Sequence, residues 1–414
     1  MNKIIRTIFI LVVTLVFLVA FSPSYNSLNL DHLAYVVGLG IDKGENEKYK
    51  ISFQFSPKSS QSTSDTGSSS ESNSSSDAEQ NSSSTINTVE APSIDTAINL
   101  MNSYLAKKIN LSHCKVVVFS EEMAYNGITN EIYTLTNNSE MRPSTNIIVS
   151  KDSAENYLDN SSPILENMIT KYYEVFPNSA KYTGYTYSAT LGNFFNSLVS
   201  IDSEPVAILG GVNSSDSNNL DQNFENYKSS ENSLSGLRKS ENIGLAVFKE
   251  GNLIGELDAL ETLCFSIIKG DLESFIVHIN DPDDDTKNLD LIVFPNSNKI
   301  KVQIINNSPF IEYKCKFLAR IHSVDENSKY LDSDTLNRIS NSLNEYLTNA
   351  LSNYLYKTSL QYKADINGFG KYALSNFLTI PEFEKYNWKE SYRDSIFKIE
   401  VDAQIDSSIL ITET

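Results

Sequence analysis

The residues that could hold a metal or move a proton are four histidines, three cysteines and one run of aspartates. His32, His113, His278 and His322 never come within ligand-pair spacing of one another, and each adjoins a strand-like run. They read as surface or satisfied histidines, not as ligands. Cys114, Cys264 and Cys315 lie far apart without CxxC spacing, so they supply neither a disulfide framework nor a zinc site and read as small buried hydrophobes. Asp281-Pro282-Asp283-Asp284-Asp285 has the carboxylate density of a calcium loop but lacks glycine at the sixth position and glutamate at the twelfth, so it reads as a solvated hairpin loop. Gly38, Gly40 and Gly44 suggest a dinucleotide fingerprint, yet a strand follows them where that motif needs a helix to meet a pyrophosphate. Neither a GxSxG elbow nor a P-loop occurs. No catalytic residue, cofactor site or metal site is assigned, and the chain is expected not to be an enzyme.

The elements around these residues follow from periodicity. Residues 33–41 form a near-continuous apolar run, residues 42–46 a turn, and Tyr49, Ile51, Phe53 and Phe55 alternate with polar residues, which predicts a β-hairpin. Residues 56–88 hold a serine-rich insertion, with a composition that cannot bury enough surface to offset ordering and is expected to be disordered. From residue 89 to 158 helices and short apolar strands alternate, and a strand at 206–212 closes an α/β domain over residues 28–212. Residues 213–239, rich in Ser, Asn and charge, read as a linker.

Residues 240–410 read as α+β. A hairpin is expected across the turn 249–252, then a helix to Lys269 opened by a capping box of Asp258 and Glu261. Strands follow at 275–279, 289–294 and 299–305. Ile311, Tyr313, Cys315, Phe317, Ala319 and Ile321 mark one buried face of an antiparallel strand. Leu336, Ile339, Leu343, Leu347, Ala350, Leu351 and Tyr354 stripe one long helix, and Phe397 to Ile405 alternate in a last strand.

Composition and the first residues set the compartment. The formal net charge of -19 opposes nucleic acid and anionic headgroups over most of the surface. Lys3 and Arg6 precede an apolar run over residues 8–21, which reads as a signal or a membrane anchor within residues 1–22, with the rest of the chain exported. Residues 22–24 offer only a weak cleavage site, which favours a single uncleaved membrane helix. Leu18-Val19-Ala20-Phe21 has the form of a bacterial lipobox except that Phe21 stands where the acylated cysteine would be.

Several blocks in order resemble the Ger(x)C family, the C subunit of the nutrient germinant receptors of endospore-forming Bacillus and Clostridium relatives. Val37-Gly38-Leu39-Gly40-Ile41-Asp42-Lys43-Gly44 is similar to that family's first hairpin. His113 to Val118 leading into Glu121, Glu122 and Gly127, and then Glu140-Met141-Arg142, resemble its next blocks. Glu261-Thr262 with Gly270, Asp365-Ile366-Asn367-Gly368-Phe369-Gly370, and Trp388 resemble its C-terminal half. Gly38, Gly40, Asp42, Glu121, Gly127, Arg142, Glu261, Thr262, Gly368 and Trp388 are therefore the candidate structural or interface residues. Members usually carry a lipobox Cys followed at once by Trp-Asp, and here Phe21 replaces that Cys.

The resemblance implies a non-enzymatic membrane-attached subunit on the outer face of the inner spore membrane, with polytopic A-type and B-type receptor subunits as partners. The alternative is an exported solute-binding or cell-wall-associated protein. The first of these needs two similar βαβ lobes, and a wall hydrolase needs paired carboxylates in a groove.

Overall fold

A computed structural model describes residues 2–20, 32–56, 84–162, 164–166, 168–213, 226–231, 239–282, 284–324 and 333–406. Its first sheet contains β1 (Leu33–Lys43), β2 (Tyr49–Phe55), β3 (Thr85–Ala91), β4 (Lys108–Asn110), β5 (Val116–Ser120), β6 (Asn146–Ser150), β7 (Val206–Val212), β8 (Ser240–Lys249) and β9 (Asn252–Leu257). Their order is β3-β2-β1-β5-β6-β7-β8-β9, with β4 pairing the start of β1. The centre, β1-β5-β6-β7, is parallel, and an antiparallel hairpin flanks it on each side.

The central strands read as unbroken apolar runs because both faces are covered. In β5, Val117 and Phe119 enter one layer while Val116 and Val118 enter the other. Helices Ile94–Tyr104, Thr129–Asn137 and Leu191–Val199 contribute to the first layer, and Ala154–Asp159 with Ile169–Val175 to the second.

The second sheet is β10 (Phe275–Asp281), β11 (Asp284–Ile305), β12 (Ser308–Val324) and β13 (Ile396–Ile405) in that order. The first three are antiparallel, as expected, whereas β13 runs parallel to β12, which its long crossover connection permits. Helix Ser333–Tyr356 lays Ile339, Leu343, Leu347, Leu351 and Tyr354 on this sheet, and each such leucine contributes about 1.5–3 kcal/mol by burial. The other face of the sheet is a charge ladder in which Lys398 lies opposite Glu312, Lys314 opposite Glu400 and Lys316 opposite Asp402. The free edge of β13 is blocked, since Ala403 N–H donates to Asn344 Oδ1 at 2.8 Å and its carbonyl accepts from Ser340 Oγ.

Several expectations change on contact with the structure. Where two strands are expected at 289–294 and 299–305, β11 is continuous for 22 residues, and a register shift at Pro295/Ser297 carries it past the proline. β3 starts at Thr85, so residues 85–88 pair with β2 and are not part of a disordered insertion. Residues 57–83 and 232–238 lie outside the described residues, as does Phe21. The aspartate run lies between the antiparallel strands β10 and β11, as the hairpin expectation has it, but Asp281 is buried instead of solvated. The two sheets differ in size and topology and are not the pair of similar lobes that a solute-binding protein would have.

A transmembrane helix is not supported. Residues Asn2–Ala20 are helical, yet among the described residues no helix is long and apolar enough to cross a membrane. With Lys3 and Arg6 in its first turns, the uncharged part from Thr7 to Ala20 measures about 21 Å at 1.5 Å per residue, against about 30 Å of hydrocarbon.

Candidate functional site

Nine of the ten candidate residues fall into four groups, three of which join the two sheets. Gly38 and Gly40 sit on β1 where helix Ala154–Asp159 crosses it. A side chain at Gly38 would lie 2.7 Å from Gln54 Oε1 and 2.9 Å from Leu158, and one at Gly40 3.0 Å from Leu158. Asp42, at the end of the same strand, accepts the N–H groups of Ala154 and Glu155 at 2.7 and 3.1 Å, closing the start of that helix. Burial raises its pKa although these donors and Ser120 oppose it. This group therefore fixes strand to helix within the first sheet.

The second group surrounds the β8–β9 hairpin. This hairpin follows residues 213–239 in the chain but hydrogen-bonds to β7, and its alternate residues feed two cores: Leu245 and Val247 face the second sheet's layer, while Ala246 and Phe248 face the first. Gly127 ends helix Glu121–Asn126 against the hairpin turn, where Ile128 N–H donates to the Gly251 carbonyl at 2.9 Å and Asn252 Nδ2 donates to the Tyr125 carbonyl at 3.2 Å. Glu121 opens that helix with its pKa raised by partial burial and by the neighbouring carboxylate of Glu256. Lys151 and Lys228 lie 3.4 and 3.2 Å from Glu256, and Lys151 also pairs with Glu231 at 3.0 Å.

The third group begins at the capping box. Asp258 accepts from Glu261 N at 2.8 Å while the Glu261 carboxylate accepts from Asp258 N at 3.0 Å. Burial, with Glu261 beside it, raises the Asp258 pKa to about 6. Glu261 also accepts from Lys357 Nζ at 2.6 Å. Burial works against that ammonium, but the carboxylate outweighs it and the lysine pKa lies above its usual value. Five residues on, Tyr362 donates to the Glu256 carbonyl at 2.6 Å, which ties this group to the hairpin. Thr262 is fully buried within the same helix.

The fourth group centres on Asp365. Its Oδ1 accepts from Gly368 N at 2.8 Å, and its Oδ2 from Gly370 N at 2.8 Å and Trp388 Nε1 at 2.9 Å. Gly368 has φ +76°, the left-handed conformation this turn requires. Gly370 has no room for a side chain, because a Cβ would meet the Asp202 carbonyl and stand 2.7 Å from the Trp388 ring. The Asp365 carbonyl accepts from Glu204 N at 2.9 Å, so the residues just before β7 dock here. Glu204, buried and raised in pKa by that burial, pairs with Lys389 at 3.2 Å and accepts from Glu250 N at 3.1 Å. Burial also lifts Asp365 to about 6, with the backbone N–H groups of Gly370 and Phe369, the Trp388 indole and Lys269 pulling the other way.

Of the candidate residues, Glu121, Gly127, Glu261, Gly368 and Trp388 thus lie along one continuous junction between the sheets, while Gly38, Gly40 and Asp42 stand beside it. Arg142 is exposed in the turn before β6 and belongs to neither. The junction also depends on Glu204, Glu256, Lys357, Tyr362 and Asp365, which pattern reading does not single out. Only Asp365 carried a local signal, an Asp three residues before a glycine. The carboxylates here are met by protein donors, and among the described residues no group of three His, Cys, Asp or Glu could hold a metal ion. Chemically, the arrangement holds two layers in one relative position.

Two family models match consecutive parts of the chain. Residues 26–210 match the spore germination protein N-terminal domain, and residues 243–408 match the spore germination B3/GerAC-like C-terminal domain. YfkR of Bacillus subtilis (strain 168), whose name assigns it provisionally to spore germination, is 25% identical over 202 residues, 49% of each chain. The matched region thus spans about half the length of that relative. The crystal structure of the GerBC protein is similar at 17% identity and a TM-score of 0.48, over 89% of this chain and 96% of that one.

Proposed function

The chain belongs to the Ger(x)C family of spore germination proteins, and from that membership we propose that it is a non-enzymatic subunit of a nutrient germinant receptor. Its partners in this reading are the polytopic A-type and B-type receptor subunits, on the outer face of the inner spore membrane. The observation that carries the reading is the junction: β8 and β9 come from the C-terminal family region yet complete the sheet of the N-terminal one. A part that relays a signal between membrane partners needs its two halves to move as one body, and this shared sheet with its buried ion pairs supports that role.

Membrane attachment is part of the proposal. In helix Asn2–Ala20 the side chains of Ile4, Ile5, Phe9, Ile10, Leu11, Val12 and Val13 are 48–68% exposed. Such a helix gains about 0.8 kcal/mol for each CH₂ it buries in lipid, and its basic start suits an anionic surface. With Phe21 in place of a cysteine, the attachment uses no thioether-linked lipid.

The test is affinity capture of the tagged chain from detergent-solubilised spore membranes. Co-purification of the two polytopic subunits is expected, and a chain recovered alone from a membrane fraction that contains those subunits would contradict the proposal. Metabolic labelling with a fatty acid should leave the chain unlabelled.

A further inference from the structure

Away from the junction, the outer side of helix Ile169–Val175 borders a cleft of about 400 Å³. Leu165, Tyr172, Phe176 and Tyr182 give it an apolar wall, and at its rim Leu165 is 91% and Tyr182 57% exposed. A concave, mostly apolar site with a few polar groups in its lining has the form of a small-molecule site. Beside Glu166 and Ser179, whose hydroxyl donates to the Phe176 carbonyl, the polar lining includes Thr186 and Asn242. Thr186 is 4% exposed, and its hydroxyl has no hydrogen-bond partner among the described residues. Asn242 uses its Oδ1 to accept from Tyr157 at 2.7 Å, which turns its amide N–H₂ into the group left to donate.

A buried hydroxyl without a partner costs free energy unless something else satisfies it. Among the described residues no lysine or arginine lines the cleft, and Glu166 stands in its lining, which disfavours an anionic ligand. The volume lies within the range of small-molecule sites and is too small for a folded segment of a partner. We propose that this cleft binds a small uncharged amphiphile: an aromatic or branched aliphatic body against Tyr172 and Phe176, with one hydroxyl or carbonyl taken by Thr186 and Asn242. The assignment does not depend on the receptor reading, since it uses only the cleft's size and lining.

Ligand-observed NMR on the full chain in detergent, with 2-phenylethanol, ethylbenzene and phenylacetate as probes, tests it. The alcohol should bind best. Ethylbenzene should bind about 5-fold more weakly for want of one hydrogen bond, and phenylacetate more weakly still. Thr186→Val should weaken the alcohol by a similar factor and leave ethylbenzene unchanged, while Thr186→Ser should retain alcohol binding. Val175→Trp, which fills the cleft from its wall, should abolish binding of all three. Unchanged alcohol binding in Thr186→Val or in a folded Val175→Trp variant would overturn the proposal. So would phenylacetate binding as well as the alcohol, or no binding of the alcohol by the wild-type chain.

Discussion

Removing the Asp365 carboxylate tests the junction where its energetics are most opposed. In Asp365→Ala the N–H groups of Gly368, Gly370 and Trp388 lose their acceptor in a buried site, at about 1–2 kcal/mol each and about 3–6 kcal/mol together. Against this, a carboxyl lifted from 3.8 to about 6 resists ionisation in the native state, which is worth about 3 kcal/mol that the variant no longer bears. The sign of the pH dependence follows. The folded pKa is raised, so the carboxyl's contribution is complete below about pH 4, where both states are protonated, and is lost as pH rises through about 6. The variant should therefore be about 3–6 kcal/mol less stable than wild type near pH 4 and only about 0–3 kcal/mol less stable at pH 7.5. Urea unfolding followed through Trp388, the chain's single tryptophan, measures the gap directly. A gap that widens as pH rises would mean that the three donors outweigh burial, and the reasoning would fail.

Three further outcomes follow from the same geometry. Glu261→Ala should cost about 2–3 kcal/mol, combining the lost capping contact of about 1 kcal/mol with an unpaired, partly buried Lys357; thermal unfolding checks this, and Glu261→Ala with Lys357→Met should recover part of the loss. Gly40→Val should destabilise by about 2 kcal/mol or more, because Leu158 and Ala154 stand 3.0 and 3.2 Å from any added Cβ; an unchanged midpoint would mean that helix Ala154–Asp159 is free to withdraw. Replacing residues 57–83 by a short Gly/Ser linker should leave the midpoint nearly unchanged, since Phe55 pairs directly with Thr85 and closure cost varies only logarithmically with length; a loss above about 2 kcal/mol would show that the segment packs.

Much of the second sheet was legible because its signal is periodic. In β12 the six apolar positions of period two are the residues that the structure buries or half-buries, and the helix stripe from Ile339 to Tyr354 lies on them as its spacing requires. The capping box of Asp258 and Glu261 was equally local. What composition concealed was pairing. Thr85 to Thr88 continue a serine-rich stretch, yet β2 supplies them with ladder partners, and Pro295 divides one strand only until the bulge is seen. Asp365 lay inside a recognisable stretch, but its burial depends on residues 202–204, about 160 positions earlier, and on Trp388. No window of sequence brings those together.

The central claim, a receptor subunit and not an enzyme of cortex breakdown, is tested most directly by spore germination in a strain lacking this chain. Optical density would be followed after a nutrient trigger and after external calcium dipicolinate, in a species that responds to both, with wild-type complementation as control. The response to one set of nutrients should be lost while the response to calcium dipicolinate survives. Loss of both responses, restored by the wild-type chain, would contradict the account and point to a hydrolase.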